Sequence, residues 1–198
     1  MVVPPNSFVA LVGRNGAGKT TLMRSVMNLL PIASGAVHVA GENTTNSPAF
    51  AHARNGVGYM PEDRRLVPDW TVEQNIQLPA WASRNRDIQR RLSMIYELIP
   101  EVAQFSHRKA LQLSGGQQKL VALARALMAS TKVLILDEPF EGVAPALAQR
   151  LADILSDLRK QGALSILISE SDAIHSRGLV DCSYTIERGR VDTASASL

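Results

Sequence analysis

Two rhythms of apolar and polar positions run along this chain. Short, wholly apolar runs at Phe8–Val12, 133–136 and 166–168 have the length and composition of strands buried on both faces. Between them, apolar residues recur at helical spacing. Leu147, Leu151, Ile154, Leu155 and Leu158 share one face, and Gly162 stands where that helix should stop. Leu120, Ala124, Leu127 and Met128 form a similar stripe behind a glycine pair. Strands alternating with such helices predict an α/β domain, with a mostly parallel sheet covered by helices on both faces. The stretch 87–112 is helical in pattern but more polar, and reads as a small helical subdomain inserted into the α/β core. Near the C-terminus, 184–187 and Val191 flank Arg188-Gly189-Arg190 as the arms of a hairpin would.

Composition narrows the class. At 198 residues the chain suits one domain rather than two, and 45% hydrophobic residues are enough for a real core. A formal charge of +3 allows an anionic ligand without calling for nucleic acid. The single cysteine, Cys182, can make no internal disulfide, which fits a reducing compartment. No apolar run approaches the ~18 residues that span a bilayer, and Met1-Val2-Val3-Pro4-Pro5 lacks the features of a signal peptide. Service to a membrane is therefore expected from the cytoplasmic side, through partners.

The strongest local signal is Gly13-Arg14-Asn15-Gly16-Ala17-Gly18-Lys19-Thr20, followed by Thr21. It fits G-x-x-x-x-G-K-[ST] in full, and it lies between an apolar strand and a helix, as that motif requires. Glycines let successive backbone N–H groups curl around phosphate oxygens, and the helix adds its positive end. Lys19 is placed to bridge the β- and γ-phosphates of ATP, and the Thr20 hydroxyl to ligate Mg²⁺. A glycine-rich strand-to-helix turn without nucleotide is the plainer alternative.

A second constellation follows the strand at 133–136. Asp137 and Glu138 put two carboxylates at its C-terminal end, where ligands bind in open α/β sheets. Asp137 would hold Mg²⁺ through water, and Glu138 would act as general base on the attacking water. Such a pair is weak evidence alone and strong beside the phosphate loop.

The segment Leu113-Ser114-Gly115-Gly116-Gln117-Gln118, shortly before Asp137, resembles the signature of ABC transporter ATPases. A serine hydroxyl and glycine N–H groups at a helix start make a second anion site. In that family it covers the γ-phosphate of ATP held by the opposite subunit, so Ser114, Gly115, Gly116 and Gln117 would complete the partner's site in a head-to-tail dimer. The resemblance covers nearly the whole chain. It implies the P-loop NTPase fold, ATP and Mg²⁺ as cofactors, membrane permease subunits and a second ATPase subunit as partners, and a periplasmic binding protein as an indirect one. It also implies a peripheral position on the cytoplasmic face of the membrane.

Finer features narrow the resemblance. Most members carry Tyr-x-Pro-Gln; here it is Tyr59-Met60-Pro61-Glu62, as in the uptake ATPases for branched-chain amino acids and for urea or amides. The resemblance thus puts Glu62 among the metal ligands with Thr20 and Asp137. The run Gly142-Val143-Ala144-Pro145 is similar to the same subgroup. Members also carry strands upstream of the loop with an aromatic residue that stacks on adenine. Only twelve residues precede Gly13 here, so those strands are expected to be cut short, and Phe8, on the strand feeding the loop, cannot replace that aromatic. A switch residue, His in most members and Gln in the uptake subgroup, aligns with Glu170, which is expected to face the γ-phosphate and Glu138. The alternative has Glu170 turned away and Ser169 or Ser171 donating instead.

Other features carry less. His38, His52, His107 and His175 lack metal-ligand spacing and are expected at the surface or in loops. Arg84, Arg86, Arg90 and Arg91 read as a solvated helix face rather than a nucleic-acid patch. Trp70 and Trp81 are either partner-docking aromatics or ordinary packing, and Cys182 reads as a small core residue. A soluble ABC ATPase of translation or DNA repair is the competing class, but its usual paired cassettes or coiled-coil insertion are missing from the sequence. A truncated or catalytically weak cassette is the other.

Overall fold

Strand β1 (Phe8–Val12) lies between β6 (Ser165–Glu170) and β7 (Cys182–Glu187), parallel to both. The computed structural model describes residues 1–83 and 87–192, and the backbone of 195–196. Beyond β6 come β5 (Val133–Asp137) and β4 (Val57–Met60), again parallel, giving the order β4-β5-β6-β1-β7-β8. Within this sheet, among the described residues, only the short strands β8 (Arg190–Val191) and β9 (Ser195–Ala196) are antiparallel, each to β7. The expected hairpin is therefore present. A separate two-stranded ribbon pairs β2 (His38–Val39) with β3 (Glu42–Asn43).

Successive side chains on a strand point to opposite faces, and the two faces are buried differently. Val9, Leu11, Ile135 and Leu167 pack with Met23 of helix α1 (Lys19–Val26). Ala10, Leu134, Leu136, Ile166 and Ile168 pack against α6 (Gly115–Ala129) and α7 (Pro145–Gln161). Helix α7 ends at Gly162 and buries Leu151, Ile154, Leu155 and Leu158, as its periodicity predicts.

A short helix α2 (Phe50–Arg54) precedes β4. The chain between β4 and β5 is helical: α3 (Val72–Ser83), α4 (Ile88–Leu98), α5 (Pro100–Gln104), a 3₁₀ turn at Ala110–Gln112, and α6. The helices thus begin at Val72, earlier than the pattern from Asp87 suggests. They share one continuous apolar core with the sheet face above. Where α6 crosses β4, a Cβ on Gly58 would sit 2.1 Å from the Ala126 carbonyl oxygen, so only glycine fits.

Two surface assignments change. Arg91 is no solvated charge: it donates to the carbonyls of Leu127 (2.6 Å), Met128 (2.9 Å) and Ser130 (2.7 Å), closing the C-terminal end of α6. Arg84 and Arg86 lie outside the described residues. His52 is buried on α2, and burial lowers its pKa. Cys182 lies on β7 itself and is half-buried.

Candidate active site

The phosphate loop leaves β1 at the C-terminal edge of the sheet. Gly13 has no room for a side chain, because a Cβ there would meet the Ile186 carbonyl oxygen at 2.3 Å. Gly18 caps α1 in the left-handed region, at φ 111, where a Cβ is strained. No side chain caps α1, so the first N–H groups of the helix are available to an anion. Lys19 opens the helix and is buried. Its Nζ donates to the carbonyls of Gly13 and Arg14 (3.1 Å for the latter) and lies 2.9 Å from Glu138 Oε1.

Strand β5 delivers Asp137, fully buried, opposite Ser169 in register on β6. Its Oδ1 accepts from Ser169 Oγ (2.8 Å) and Thr20 Oγ1 (3.2 Å), and its Oδ2 from the Tyr59 hydroxyl (3.2 Å). Burial and then the Asp137 charge push the Tyr59 pKa well above its ordinary value, so this phenol remains a donor. Glu138 follows at φ 50, a conformation uncommon for a residue with a Cβ. Its neighbours hold it there. The Glu138 N–H donates to Ser169 Oγ (3.0 Å), and its carbonyl accepts from Lys119 Nζ (2.9 Å) and the Glu141 N–H (3.2 Å). That turn carries the carboxylate to Lys19 and to Ser171 Oγ, 3.1 Å from Oε1.

Glu62 approaches from the loop after β4, with Oε2 3.5 Å from Thr20 Oγ1. Burial raises its pKa, reinforced by the charges of Glu141, Asp137 and Glu138 and opposed by Thr20. Arg64 and Arg65, at φ 62 and 47, have their carbonyls bound by the guanidinium of Arg125 on α6 (2.6 Å to Arg65). Arg64 Nη1 in turn donates to the Gly115 carbonyl (3.1 Å) and Gln118 Oε1 (3.3 Å). The Glu62 loop and the start of α6 are thereby one hydrogen-bonded unit.

At that helix start Ser114 forms a reciprocal cap: its Oγ accepts from the Gln117 N–H (3.3 Å), and Gln117 Oε1 accepts from the Ser114 N–H (3.0 Å). Ser114 and Gly115 are exposed. They do not line the chain's own cavity. That cavity, about 330 Å³, is lined by Asn15, Gly16, Gly18, Lys19, Thr20, Thr21, Glu62, Glu138 and Glu141. Asp137, Gly13, Arg14 and Ala17 do not line it; Asp137 reaches it through Thr20, and the Gly13 and Arg14 carbonyls hold Lys19.

A glycine-rich loop with a buried lysine, a buried aspartate and a glutamate held at one sheet edge suit a nucleotide hydrolase, and comparison with known proteins decides which kind. The family model of ABC transporters matches residues 1–141. The chain belongs to the ABC transporter family. It is 34% identical over 199 residues to a high-affinity branched-chain amino acid transport ATP-binding protein of Pseudomonas aeruginosa, covering 99% of this chain and 85% of the relative. A probable branched-chain amino acid transport ATP-binding protein of Archaeoglobus fulgidus is 33% identical, over 96% of this chain and 80% of its own. A lipopolysaccharide export ATP-binding protein of Haemophilus influenzae is 32% identical, with the same coverages. Among solved structures, the fold resembles a dimeric bacterial ABC transporter cassette (TM-score 0.87, 21% identity, covering 99% of this chain and 88% of that one). It also resembles an ABC transporter cassette in its ADP conformation (TM-score 0.81, 25% identity, covering 100% and 83%). The chain is thus an ATP-hydrolysing cassette of a transporter.

One expected site residue of this ABC cassette is turned elsewhere. Glu170 continues the Ile166–Ile168 face of β6, away from the phosphate loop. It is 3% exposed, its Oε2 accepts from Ser176 Oγ (2.9 Å), and its Oε1 is buried without a partner. Burial above all, with the charges of Asp172 and Glu138, pushes its pKa up to about 7. It does not line the cavity. The side chain beside Glu138 is Ser171, whose Oγ also lies 2.8 Å from Asn15 Oδ1. The sequence pattern assigns no role to Tyr59, Glu141 or Lys119, and Ser169 and Ser171 enter it only as the alternative to Glu170. Carrying the β6 alternation past Ile168 would have put Ser169 and Ser171 on the loop face.

The remaining candidates stay peripheral to the cassette's site. Trp70 and Trp81 pack against each other, centroids 5.9 Å apart, with Trp81 exposed. Phe8 is buried under Arg159 on the helical side of the sheet. Among the described residues, no cluster of three or more His, Cys, Asp or Glu side chains is disposed to hold a metal alone.

Proposed function

We propose that this cassette binds Mg²⁺–ATP in the 13–21 loop, hydrolyses it with Glu138 as general base, and drives uptake of branched-chain amino acids through membrane permeases. The observation that carries the catalytic reading is the convergence of Lys19, Thr20 and Glu138 on one cavity, with Asp137 bonded to Thr20. Mg²⁺ fits this site. Thr20 Oγ1, Asp137 and Glu62 are hard oxygen donors, and the carboxylates that raise the Glu62 pKa are a charge excess that a cation relieves. With three protein donors assigned to it, the ion would take water and phosphate oxygens to complete its shell, as Mg²⁺ prefers. The ion, when bound, neutralises charge on the transferring phosphoryl group. Lys19 exchanges its contact with Glu138 for phosphate oxygens, leaving that carboxylate to accept a proton from water. Ser171 is the hydroxyl donor of the site, the alternative to Glu170.

The exposed Ser114 cap is suited to a second cassette's nucleotide, since the resemblance to a dimeric cassette is close over nearly the whole chain. Residues 87–130 act in this reading as the helical subdomain that carries the cap. In this reading the cassette works on the cytoplasmic face, beneath permeases that receive solute from a periplasmic protein; among the described residues no helix is long and apolar enough to cross a membrane.

The solute rests on the relatives of Pseudomonas and Archaeoglobus. The Haemophilus relative favours a second reading, lipopolysaccharide export. Vesicles carrying the cassette with the permeases encoded beside it separate the two. ATP-dependent accumulation of leucine, isoleucine or valine supports uptake, whereas lipid extraction without amino-acid movement overturns it.

A further inference from the structure

Helix α6 begins with the Ser114 cap and, within its next turn, directs Lys119 into the interior. Lys119 is 5% exposed. A buried ammonium is tolerated only where its protons find acceptors, and these find two backbone carbonyls of one turn. Nζ donates to the Glu138 carbonyl at 2.9 Å and to the Glu141 carbonyl at 2.6 Å. The Glu138 carbonyl is inward because that residue adopts φ 50, so the conformation that aims the Glu138 carboxylate at Lys19 is the one that gives Lys119 its acceptor. On the other side of the same residue, Ser169 Oγ receives the Glu138 N–H.

We infer that Lys119 is a positioning residue for hydrolysis: from the helix that carries the signature, it clamps the Glu138–Glu141 turn and fixes where the base stands. The inference rests on the reading of Glu138 as base. Two consequences follow from the geometry. Nucleotide affinity does not depend on Lys119, because its donors reach only the turn. The rate does, because a base displaced by an ångström costs about 100-fold. In a head-to-tail pair, a shift of Ser114 against the partner's nucleotide would also reach Glu138 of its own chain through one rigid helix.

The test compares the full chain with Lys119→Met, which keeps length and loses the donors, Lys119→Gln, a shorter neutral donor, and Lys119→Arg, which keeps charge and donors. Steady-state kcat and KM for ATP are measured beside the dissociation constant of a fluorescent ATP analogue. The expected result is a fall in kcat of about 10–100-fold in Lys119→Met, with affinity and KM within about twofold. Lys119→Arg should recover at least a tenfold share of any 100-fold loss. A parent-like kcat in Lys119→Met overturns the inference, as does a Lys119→Arg no faster than Lys119→Gln, the pair that carries the test if the methionine variant does not fold. Glu138→Gln in the same assay separates the two levels. If it hydrolyses at the parent rate, the base assignment fails and this inference with it; if it is inactive while Lys119→Met is parent-like, Lys119 alone is wrong.

Discussion

Lys19 Nζ lies 2.9 Å from Glu138 Oε1, both side chains almost entirely buried, so the proposed phosphate-binding cation and the proposed base neutralise each other. Removing one partner leaves the other's charge buried and uncompensated, which costs about 3–5 kcal/mol in comparable pairs.

Lys19→Ala should therefore have two effects. Nucleotide binding is lost, because among the described residues that line the cavity no other side chain supplies a cation to the phosphates. Folding stability also falls, and Glu138→Gln in the same chain should restore part of it by removing the stranded carboxylate. Calorimetric ATP titration and urea unfolding of the two single variants and the double variant check both. Parent-like ATP affinity in Lys19→Ala would sink the phosphate-loop assignment, and strictly additive stability losses would show the ion pair to be worth nothing.

Ser171→Ala removes the hydroxyl between Asn15 and Glu138. A single preorganised donor is worth about 10²–10³ in rate where charge develops, so kcat should fall toward that range with little change in ATP affinity. A rate within twofold of the parent would show that Ser171 only orders the loop.

Glu170 affects stability in a pH-dependent way. Its pKa is raised from 4.5 to about 7, chiefly by burial. The folded chain thus holds this proton more tightly than the unfolded one. The contribution is fully present below pH 4.5, declines as pH rises through that interval, and is gone above about pH 7, at up to about 1.4 kcal/mol per unit of pKa difference. Glu170→Gln keeps a neutral side chain at every pH. Its melting temperature relative to the parent should accordingly rise between pH 5 and pH 8, while its ATPase rate at neutral pH stays within about twofold. A stability difference independent of pH would mean that Glu170 is not buried as a protonated acid.

The sequence was readable where chemistry or period is local. The phosphate loop, the Asp137–Glu138 pair, the Ser114 cap and the α7 stripe each follow from neighbours in the chain. Strand β4 was not visible, because Gly58 and Tyr59 interrupt its apolar run. Both are set by distant partners: the Ala126 carbonyl excludes any side chain at 58, and Asp137 receives the Tyr59 hydroxyl. Arg91, Lys119 and Arg125 look like ordinary helical charges for the same reason. Their acceptors are backbone carbonyls far along the chain, and nothing in their spacing announces that burial. The one-residue difference between Glu170 and Ser171 is a matter of strand length: reading β6 to Ile168 leaves the facing of the next residues open, and the two extra positions settle it.

Hydrolysis by Glu138→Gln tests the central claim most directly. The amide nearly reproduces the carboxylate's shape but cannot accept a proton. Incubated with radiolabelled Mg²⁺–ATP and followed over a single turnover, the variant should bind ATP as the parent does, retain it uncleaved, and persist longer as a dimer, with phosphate release slowed at least about 100-fold. Phosphate release at the parent rate would contradict the account, because Glu138 would then not be the base and the ion pair with Lys19 would need another purpose.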